Sequence, residues 1–245
     1  MRNIKIILEY DGAGYSGWQI QKNTSQTIQQ KVQDVLTSIN KTQVKVIGAG
    51  RTDKGVHAYG QTANFNLDVP IPVARIPRAL NRLLPEDIVC RSAEEVEEDF
   101  HARYDAKGKK YRYYILNRKC PSAFKRNYVY HFIHRLDFPK IKKAAKFFEG
   151  THDFNAFQSS GSSVTDTVRT IKSIELQQIN QELIIEIVGN GFLYNMVRII
   201  VGTLIEVGMG KIKLADVATI ISEGNRKNAG FTVPAAGLFL VEVYY

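Results

Sequence analysis

Hydrophobic and polar positions along this chain follow two periods, and each period predicts a kind of element. Residues 3–10 alternate and are rich in isoleucine, which predicts a strand. Residues 27–39 carry apolar side chains at three- and four-residue spacing, which predicts an amphipathic helix. The same reasoning predicts strands at 43–48, 60–67 and 87–96 and a second helix at 77–84. The first half of the chain therefore has the element order β-α-β-β-α-β.

The second half of the chain repeats this order. Its predicted elements are strands at 109–117, 169–178, 182–189 and 238–245 and helices at 137–149, 192–208 and, as an addition, 214–222. The Ser- and Gly-rich run 158–167 has no apolar period and predicts a loop. The two halves meet near 98–108, where an acidic run gives way to a basic segment.

This pattern predicts an α+β fold of two ferredoxin-like domains, each with a mainly antiparallel sheet that helices cover on one face. We expect the first domain over residues 1–104 and the second over residues 105–245. A single extended sheet that contains all of the strands is compatible with the same pattern.

An excess of basic residues changes the partner that we expect. The chain has 33 Lys and Arg against 24 Asp and Glu, for a net charge of +9. Such a balance favours a polyanionic partner, because each phosphate that a Lys or Arg neutralises releases counterions. With 245 residues, 44% of them hydrophobic, the chain is long enough for a substantial core and has the composition of a soluble globular protein.

Cysteine, histidine and apolar patterns exclude several classes of protein. Cys90 and Cys120 are far apart, which suggests a reducing compartment and no disulfide framework. His131 and His134 lack a neighbouring carboxylate or cysteine at metal-ligand spacing. The N-terminal apolar run is too short for a signal peptide, and no apolar stretch approaches the roughly 18 residues of a membrane span. We expect a cytoplasmic protein that needs neither a metal nor an organic cofactor.

The segment 48–58 concentrates the candidate chemistry of the chain. It follows a β-branched run and is rich in glycine, which predicts a tight loop at the rim of a sheet. Arg51 and Asp53 are two residues apart, so in extended backbone they project to the same side. An ion pair there would keep the carboxylate ionised and oriented, as a nucleophile or base requires. The tetrapeptide at 52–55, taken alone, is also ordinary turn chemistry.

Segment 48–58 as a whole resembles the active-site motif of the TruA family of tRNA pseudouridine synthases, in which G-R-T-D-x-G-V-H-A carries the catalytic aspartate. Three more segments resemble the motifs of that family in the same order along the chain. They are the Y-x-G-W-Q-x-Q signature within 11–21, the F-x-A-R and Y-R-Y segments at 100–103 and 111–113, and the G-F-L-x-x-M-V-R helix at 191–198.

The resemblance implies a role for each matching residue. Asp53 would be the catalytic nucleophile, with Arg51 as its partner. Tyr111 would stack on the target base, and Arg198 would be the basic residue that reaches the aspartate. The family resemblance also implies isomerisation of uridines 38, 39 and 40 in the anticodon arm of tRNA. It further implies a homodimer, and two sheets that join across a positively charged cleft related by a pseudo-twofold.

The residues alone leave alternatives open for two of these side chains. In the strand predicted at 109–117, which carries Tyr111, cations are interleaved with aromatic residues, and this pattern suits RNA binding. A half-buried strand whose tyrosines belong to the core fits the same residues. We prefer the core for Tyr113 and Tyr114. The helix that carries Arg198 is apolar on nearly every side and therefore predicted to be buried. Arg198 must have a partner there, and a structural carboxylate is the ordinary choice.

A non-catalytic tRNA-binding or tRNA-folding protein on the same scaffold is the alternative function. Basic charge and aromatic residues fit it equally, whereas the complete set of Arg51, Asp53 and Tyr111 favours an enzyme. Two basic stripes could contact tRNA phosphates, and the sequence does not rank them. They are Arg78 with Arg82, and Lys140 with Lys143 and Lys146.

Overall fold

The structure is a computed structural model that describes residues 1–161 and 164–245. Its strands are β1 (Arg2–Tyr10), β2 (Ile47–Gly48), β3 (His57–Leu67), β4 (Ile88–Val96), β5 (Gly108–Asn117), β6 (Tyr130–Phe132), β7 (Gly150–Asp153), β8 (Val168–Ile179), β9 (Glu182–Gly189) and β10 (Leu238–Tyr244). Its helices are α1 (Ile28–Asn40), α2 (Ile76–Asn81), α3 (Phe138–Ala145), α4 (Met196–Gly208) and α5 (Asp216–Glu223). The mixed helices and mainly antiparallel sheets confirm the predicted α+β class.

The chain divides into two compact units. The first consists of Met1–Lys107 together with Phe239–Tyr245, and the second of Gly108–Leu238. The domains predicted from the sequence, 1–104 and 105–245, put the final strand in the second domain, whereas Phe239–Tyr245 belongs to the first unit. Periodicity identifies 238–245 as a strand but carries no information about its partner, which is β3 in the first unit. Part of the predicted 158–167 loop, at 162–163, lies outside the described residues.

In the first unit, β1 is the central strand of the sheet. It pairs antiparallel with β3 on one side and with β4 on the other. Its side chains alternate between buried and partly exposed, and Ile4, Ile6 and Leu8 are fully buried, as the period of two predicts. β10 pairs with the start of β3 in parallel, whereas β2 pairs antiparallel with the same strand further along.

The strand predicted at 43–48 is reduced to β2, because helix α1 takes its backbone hydrogen bonds. The Val44 N–H donates to Thr37 Oγ1 at 3.1 Å, and the Val46 N–H donates to Gln33 Oε1 at 3.3 Å. Gln29 Nε2 donates to the Val46 carbonyl at 2.8 Å. The three α1 side chains are four residues apart and share a helix face, so they replace a neighbouring strand.

In the second unit, the sheet order is β5-β9-β8-β7 and these neighbours pair antiparallel, while β6 joins β5 in parallel. The sequence prediction missed β6 and β7, which are too short to show a period. Helix α4 is buried along most of its length, as predicted, but begins four residues later than expected. Asn195 precedes it in the left-handed conformation, with φ of 60°. Among the described residues, none of the helices is long and apolar enough to cross a membrane.

Helix α4 packs against the backbone of a neighbouring segment at two glycines. A Cβ at Gly202 would lie 1.8 Å from the Phe231 carbonyl oxygen, and one at Gly230 would lie 2.4 Å from the Thr203 nitrogen. The Thr203 hydroxyl donates to the Ile199 carbonyl and accepts from the Gly230 N–H, both at 2.9 Å. Absent side chains therefore allow two backbones to touch in the core of this unit.

Replacing Gly202 by alanine tests this packing. Helix propensity alone would stabilise the protein by about 1 kcal/mol. Because the added methyl collides with a backbone carbonyl, we expect a net destabilisation of about 1–3 kcal/mol, measured as a lower Tm in thermal unfolding. Gly14→Ala is the control, since a Cβ at Gly14 would have no described atom within 4 Å. A Gly202→Ala variant as stable as the parent would contradict the packing account.

Candidate active site

The 48–56 loop connects β2 to β3 and is fixed to β3 at its start. The Ala49 N–H donates to the Thr62 carbonyl at 2.8 Å, and Gln61 Nε2 donates to the Gly50 carbonyl at 2.8 Å. At its end, the Val56 N–H donates to the Asp53 carbonyl at 3.1 Å, while Gly55 has a φ of 77°. The turn chemistry predicted for 52–55 is therefore present, and it shapes the loop that carries the candidate residues.

Side chains along this loop alternate between the core and the surface. Thr52 is buried, whereas Arg51 is exposed and Asp53 is partly exposed. This is the alternation expected of extended backbone, and it places the candidate cation and carboxylate on the open side of the loop. Both side chains are at least partly exposed, which is compatible with the expectation that they project to the same side.

A second loop, residues 11–18, supports the 48–56 loop from the end of β1. The Trp18 N–H donates to the Thr52 carbonyl at 3.0 Å, and the Gly55 N–H donates to the Tyr15 carbonyl at 3.4 Å. Gly17 has a φ of +99°, and a Cβ there would lie 2.6 Å from the Thr52 oxygen. Only glycine combines that backbone conformation with that approach.

Two further contacts join the same loops. A Cβ at Gly12 would lie 2.0 Å from the Val56 carbonyl oxygen. A Cβ at Gly48 would lie 2.4 Å from the ring of Trp18, which is itself buried. Trp18 therefore anchors the loop as a core residue. The N-terminal sequence motif is the structural support of the candidate active-site motif.

His57, at the start of β3, is buried beside the 11–18 loop. Its Nδ1 accepts the Gly12 N–H at 3.0 Å and lies 3.1 Å from Asp11 Oδ1. Its ring stacks on Phe239 with 4.6 Å between the centroids. These contacts hold the imidazole against the start of the 11–18 loop, so His57 helps to position that loop.

Tyr111 lies on β5 in the second unit and is 8% exposed. Its ring meets Phe192 edge to face, with 5.1 Å between the centroids and 84° between the planes. The structure thus brings Tyr111 into contact with the motif at 191–198, although the two segments are far apart in the sequence. Sequence reasoning missed Phe192 as a contributor, although it stands inside a motif already quoted.

The neighbouring tyrosines differ from each other. Tyr113 is fully buried and its hydroxyl donates to the Pro234 carbonyl at 2.6 Å, which confirms the predicted core role. Burial raises the pKa of the Tyr113 phenol well above its ordinary value. Tyr114 is only half-buried, and it accepts a hydrogen bond from Arg112 at 3.0 Å, so the core prediction was wrong for it.

Arg198 is the third residue of α4 and is half-buried. Its Nε donates to the Val233 carbonyl at 2.7 Å, and its guanidinium also donates to Asn195 Oδ1 at 2.6 Å. The expected burial in mid-helix is therefore only partial, because α4 begins later than predicted. The contacts hold the guanidinium at the start of the helix, close to the residues that precede it in the motif.

Across residues 1–161 and 164–245, the structure contains no cluster of three His, Cys, Asp or Glu side chains that could hold a metal ion.

Sequence reasoning also missed two polar residues behind the 48–56 loop, Tyr10 and Gln61, both of which are buried. The available signal was Gln61 itself, a polar residue in the middle of a strand.

Comparisons with known proteins agree with this geometry. The sequence model of a family described as tRNA pseudouridine synthase matches residues 6–105 and 144–245. Relatives named tRNA pseudouridine synthase A are 54% identical in Acetivibrio thermocellus and 49% identical in Thermoanaerobacter sp. strain X514, with 100% of both chains covered in each case. A chain from the crystal structure of a Cbf5-Nop10-Gar1 complex overlays with a TM-score of 0.40 at 12% identity, over 97% of this chain and 48% of that chain, which is too weak to bear on function.

Identities of about 50% over the whole chain establish membership rather than a local likeness. The chain belongs to the family of tRNA pseudouridine synthases, isomerases that convert uridine in tRNA to pseudouridine.

Proposed function

We propose that this isomerase acts on uridines 38, 39 and 40 in the anticodon arm of tRNA, with Asp53 as the nucleophile. The observation that carries the proposal is the 48–56 loop. Strand β3 and the 11–18 loop fix its backbone, and Asp53 within it is partly exposed. Positioning of this kind is what nucleophilic catalysis requires.

Access to the target base comes first. A uracil in a helical arm is stacked, so the nucleotide must leave the helix, at a cost of a few kcal/mol. Tyr111 would stack on the extruded base, and its edge-to-face contact with Phe192 fixes the orientation of its ring. Arg51, exposed on the loop, would contact the RNA backbone and pair with Asp53.

The reaction is an internal transfer with no net oxidation or hydrolysis. The bond between N1 of uracil and C1′ of ribose breaks, the freed base turns, and a bond forms between C5 and C1′. The proton on C5 is then released and N1 gains one. Asp53 would act on the ribose, either as a nucleophile that forms a covalent adduct at C1′ or as a base that removes the C2′ proton in elimination to a glycal. Arg198 would supply a cation to the carboxylate. The proposed reaction requires no metal or organic cofactor.

The finer architecture is also part of the proposal. We infer two ferredoxin-like domains related by a pseudo-twofold around a basic cleft, in a cytoplasmic homodimer. In the first unit, the β-α-β-β-α-β order and the neighbouring pairs β4-β1, β1-β3 and β3-β2 support the ferredoxin-like description.

One segment of the second unit is a candidate RNA contact that the sequence stripes did not include. Residues 118–136 contain five Lys or Arg and no Asp or Glu. Phe124 within it is 93% exposed. The segment is nevertheless ordered, since Arg118 Nε donates to the Cys120 carbonyl at 2.7 Å and the Lys125 N–H donates to Ser122 Oγ at 3.2 Å. Charge beside an exposed ring suits phosphates and unstacked bases.

Asp53→Asn tests the central assignment. The amide keeps the size and most hydrogen bonds of the carboxylate but cannot act at C1′. We expect pseudouridine formation to fall below detection, measured as tritium release from C5-labelled tRNA. Binding of tRNA should stay within about tenfold of the parent, or about 1.4 kcal/mol, because phosphate contacts supply most of the affinity.

Asp34→Asn is the matched control, since Asp34 lies on the exposed face of α1, where it accepts from Gln30 Nε2 at 2.7 Å. It should leave both turnover and binding unchanged. Near-normal turnover by Asp53→Asn would remove its catalytic role.

Tyr111 is buried enough that truncation to alanine would disturb the core, so conservative variants are the better test. Phenylalanine keeps the flat ring, and leucine keeps apolar volume without it. We expect Tyr111→Leu to lower kcat/KM roughly 10- to 100-fold below Tyr111→Phe, as loss of about 1–3 kcal/mol of base stacking implies. Equal activity of the two folded variants, or unfolding of the leucine variant alone, would make Tyr111 a core residue only.

Arg126→Ala tests the basic segment. Removing one phosphate contact should weaken tRNA binding and flatten the slope of log affinity against log salt by about 0.9. Arg91→Ala changes the net charge equally, but its guanidinium lies 3.8 Å from the Glu9 carboxylate and donates to the Tyr59 carbonyl at 2.9 Å, so it should have little effect. The same loss of affinity in both variants would indicate net charge alone, and would argue against a local contact.

A further inference from the structure

We propose that Tyr10, Thr52 and Gln61 form a buried network that positions Asp53 from behind the 48–56 loop. They would be positioning residues for the isomerisation, acting through the loop backbone without touching the RNA. The inference rests on the proposed role of Asp53, and it adds residues that none of the four sequence motifs singled out for this purpose.

The three side chains come from three different segments and meet in the core of the first unit. Tyr10 is the last residue of β1, Gln61 lies in β3, and Thr52 lies in the 48–56 loop. Their exposed fractions are 3%, 0% and 5%, respectively. Leu8 pairs with Gln61 across the sheet, and the register shifts between Leu8 and Tyr10. Such an irregularity re-aims a side chain, here toward the loop.

The hydrogen bonds of this network end on both sides of Arg51. The Tyr10 hydroxyl lies 2.8 Å from Thr52 Oγ1, and Gln61 Nε2 donates to the Gly50 carbonyl at 2.8 Å. The network therefore holds residue 50 by its backbone and residue 52 by its side chain. Asp53 follows directly, so its position depends on both contacts.

One acceptor in the network is not satisfied. Gln61 Oε1 is buried and makes no hydrogen bond of normal geometry with the described residues. Burial raises the pKa of the Tyr10 phenol well above its ordinary value, while Thr52 and Gln61 lower it by a smaller amount. The phenol is therefore protonated at neutral pH, and it lies close enough to Gln61 for the two to interact.

A single ordering of protons would complete the network. In that ordering the Thr52 hydroxyl would donate to the Tyr10 oxygen and the Tyr10 hydroxyl would donate to Gln61 Oε1, while Gln61 Nε2 donates to the Gly50 carbonyl. Gln61 Oε1, which is buried and unsatisfied, is the acceptor that this ordering would supply with a proton.

Packing alone does not explain these residues. A buried polar group costs free energy, and replacing both partners of a hydrogen bond by apolar groups of the same shape is often nearly neutral for stability. An apolar core at these positions would serve folding as well. Polar residues serve the loop because small errors in the position of a reacting group have large effects on rate.

Conservative variants separate positioning from stability. Tyr10→Phe and Thr52→Val remove one hydroxyl each and keep the shape of the side chain. We expect each to lower the single-turnover rate roughly 10- to 100-fold, with tRNA affinity changed less than about twofold. Thr52→Ser restores the hydroxyl and should recover most of the rate. The double variant should be little worse than either single variant, because both break the same network.

Thr203→Val is the matched control. Thr203 is also a fully buried threonine with two hydrogen bonds, but it packs α4 in the second unit. It should lower Tm without lowering the rate at temperatures well below unfolding. Parent-like rates in Tyr10→Phe and Thr52→Val, no recovery in Thr52→Ser, or an equal rate loss in Thr203→Val would each overturn the proposal. If Asp53→Asn is inactive while Tyr10→Phe and Thr52→Val are fully active, the network proposal fails and the catalytic role of Asp53 stands. An active Asp53→Asn variant would overturn the catalytic role itself.

Discussion

Close approach of two loop backbones is the constraint on which the rest of the first unit depends. A Cβ at Gly12 would lie 2.0 Å from the Val56 carbonyl oxygen, and one at Gly17 would lie 2.6 Å from that of Thr52. The 11–18 loop therefore touches the 48–56 loop at both ends of the segment that carries Asp53. Any larger residue would separate the loops and move the carboxylate, which links two motifs that are distant in the sequence.

Polar groups inside the same unit extend this support. Tyr10, Thr52 and Gln61 are buried behind the loop, and His57 is buried beside it, where its Nδ1 accepts the Gly12 N–H. An apolar core would avoid the desolvation cost of these groups. Other buried polar residues, such as Asn3 and Asn64, lie elsewhere in the core, but these four surround the one loop that carries Asp53.

The second unit solves a similar problem by different means. Backbone contact at Gly202 fixes α4 against the segment at Phe231, and Arg198 ties the start of that helix to the Val233 carbonyl. Phe192, just before the helix, meets the ring of Tyr111. The strand that carries the base-stacking candidate and the helix that carries the cationic candidate are thus packed as one assembly.

The sequence by itself determined the element types and the family, because periodicity and motif chemistry are local. It placed β1, α1, β8, β9 and the loop with Asp53 to within a few residues. Only the tertiary structure decided the rest. Side chains of α1 accept the backbone hydrogen bonds of residues 44 and 46, so no strand forms there. Strand β10 pairs with β3, and α4 begins only after Asn195, which has a left-handed backbone conformation. Each of these outcomes depends on a contact between residues distant in the chain or on a backbone conformation, and a hydrophobic period records neither.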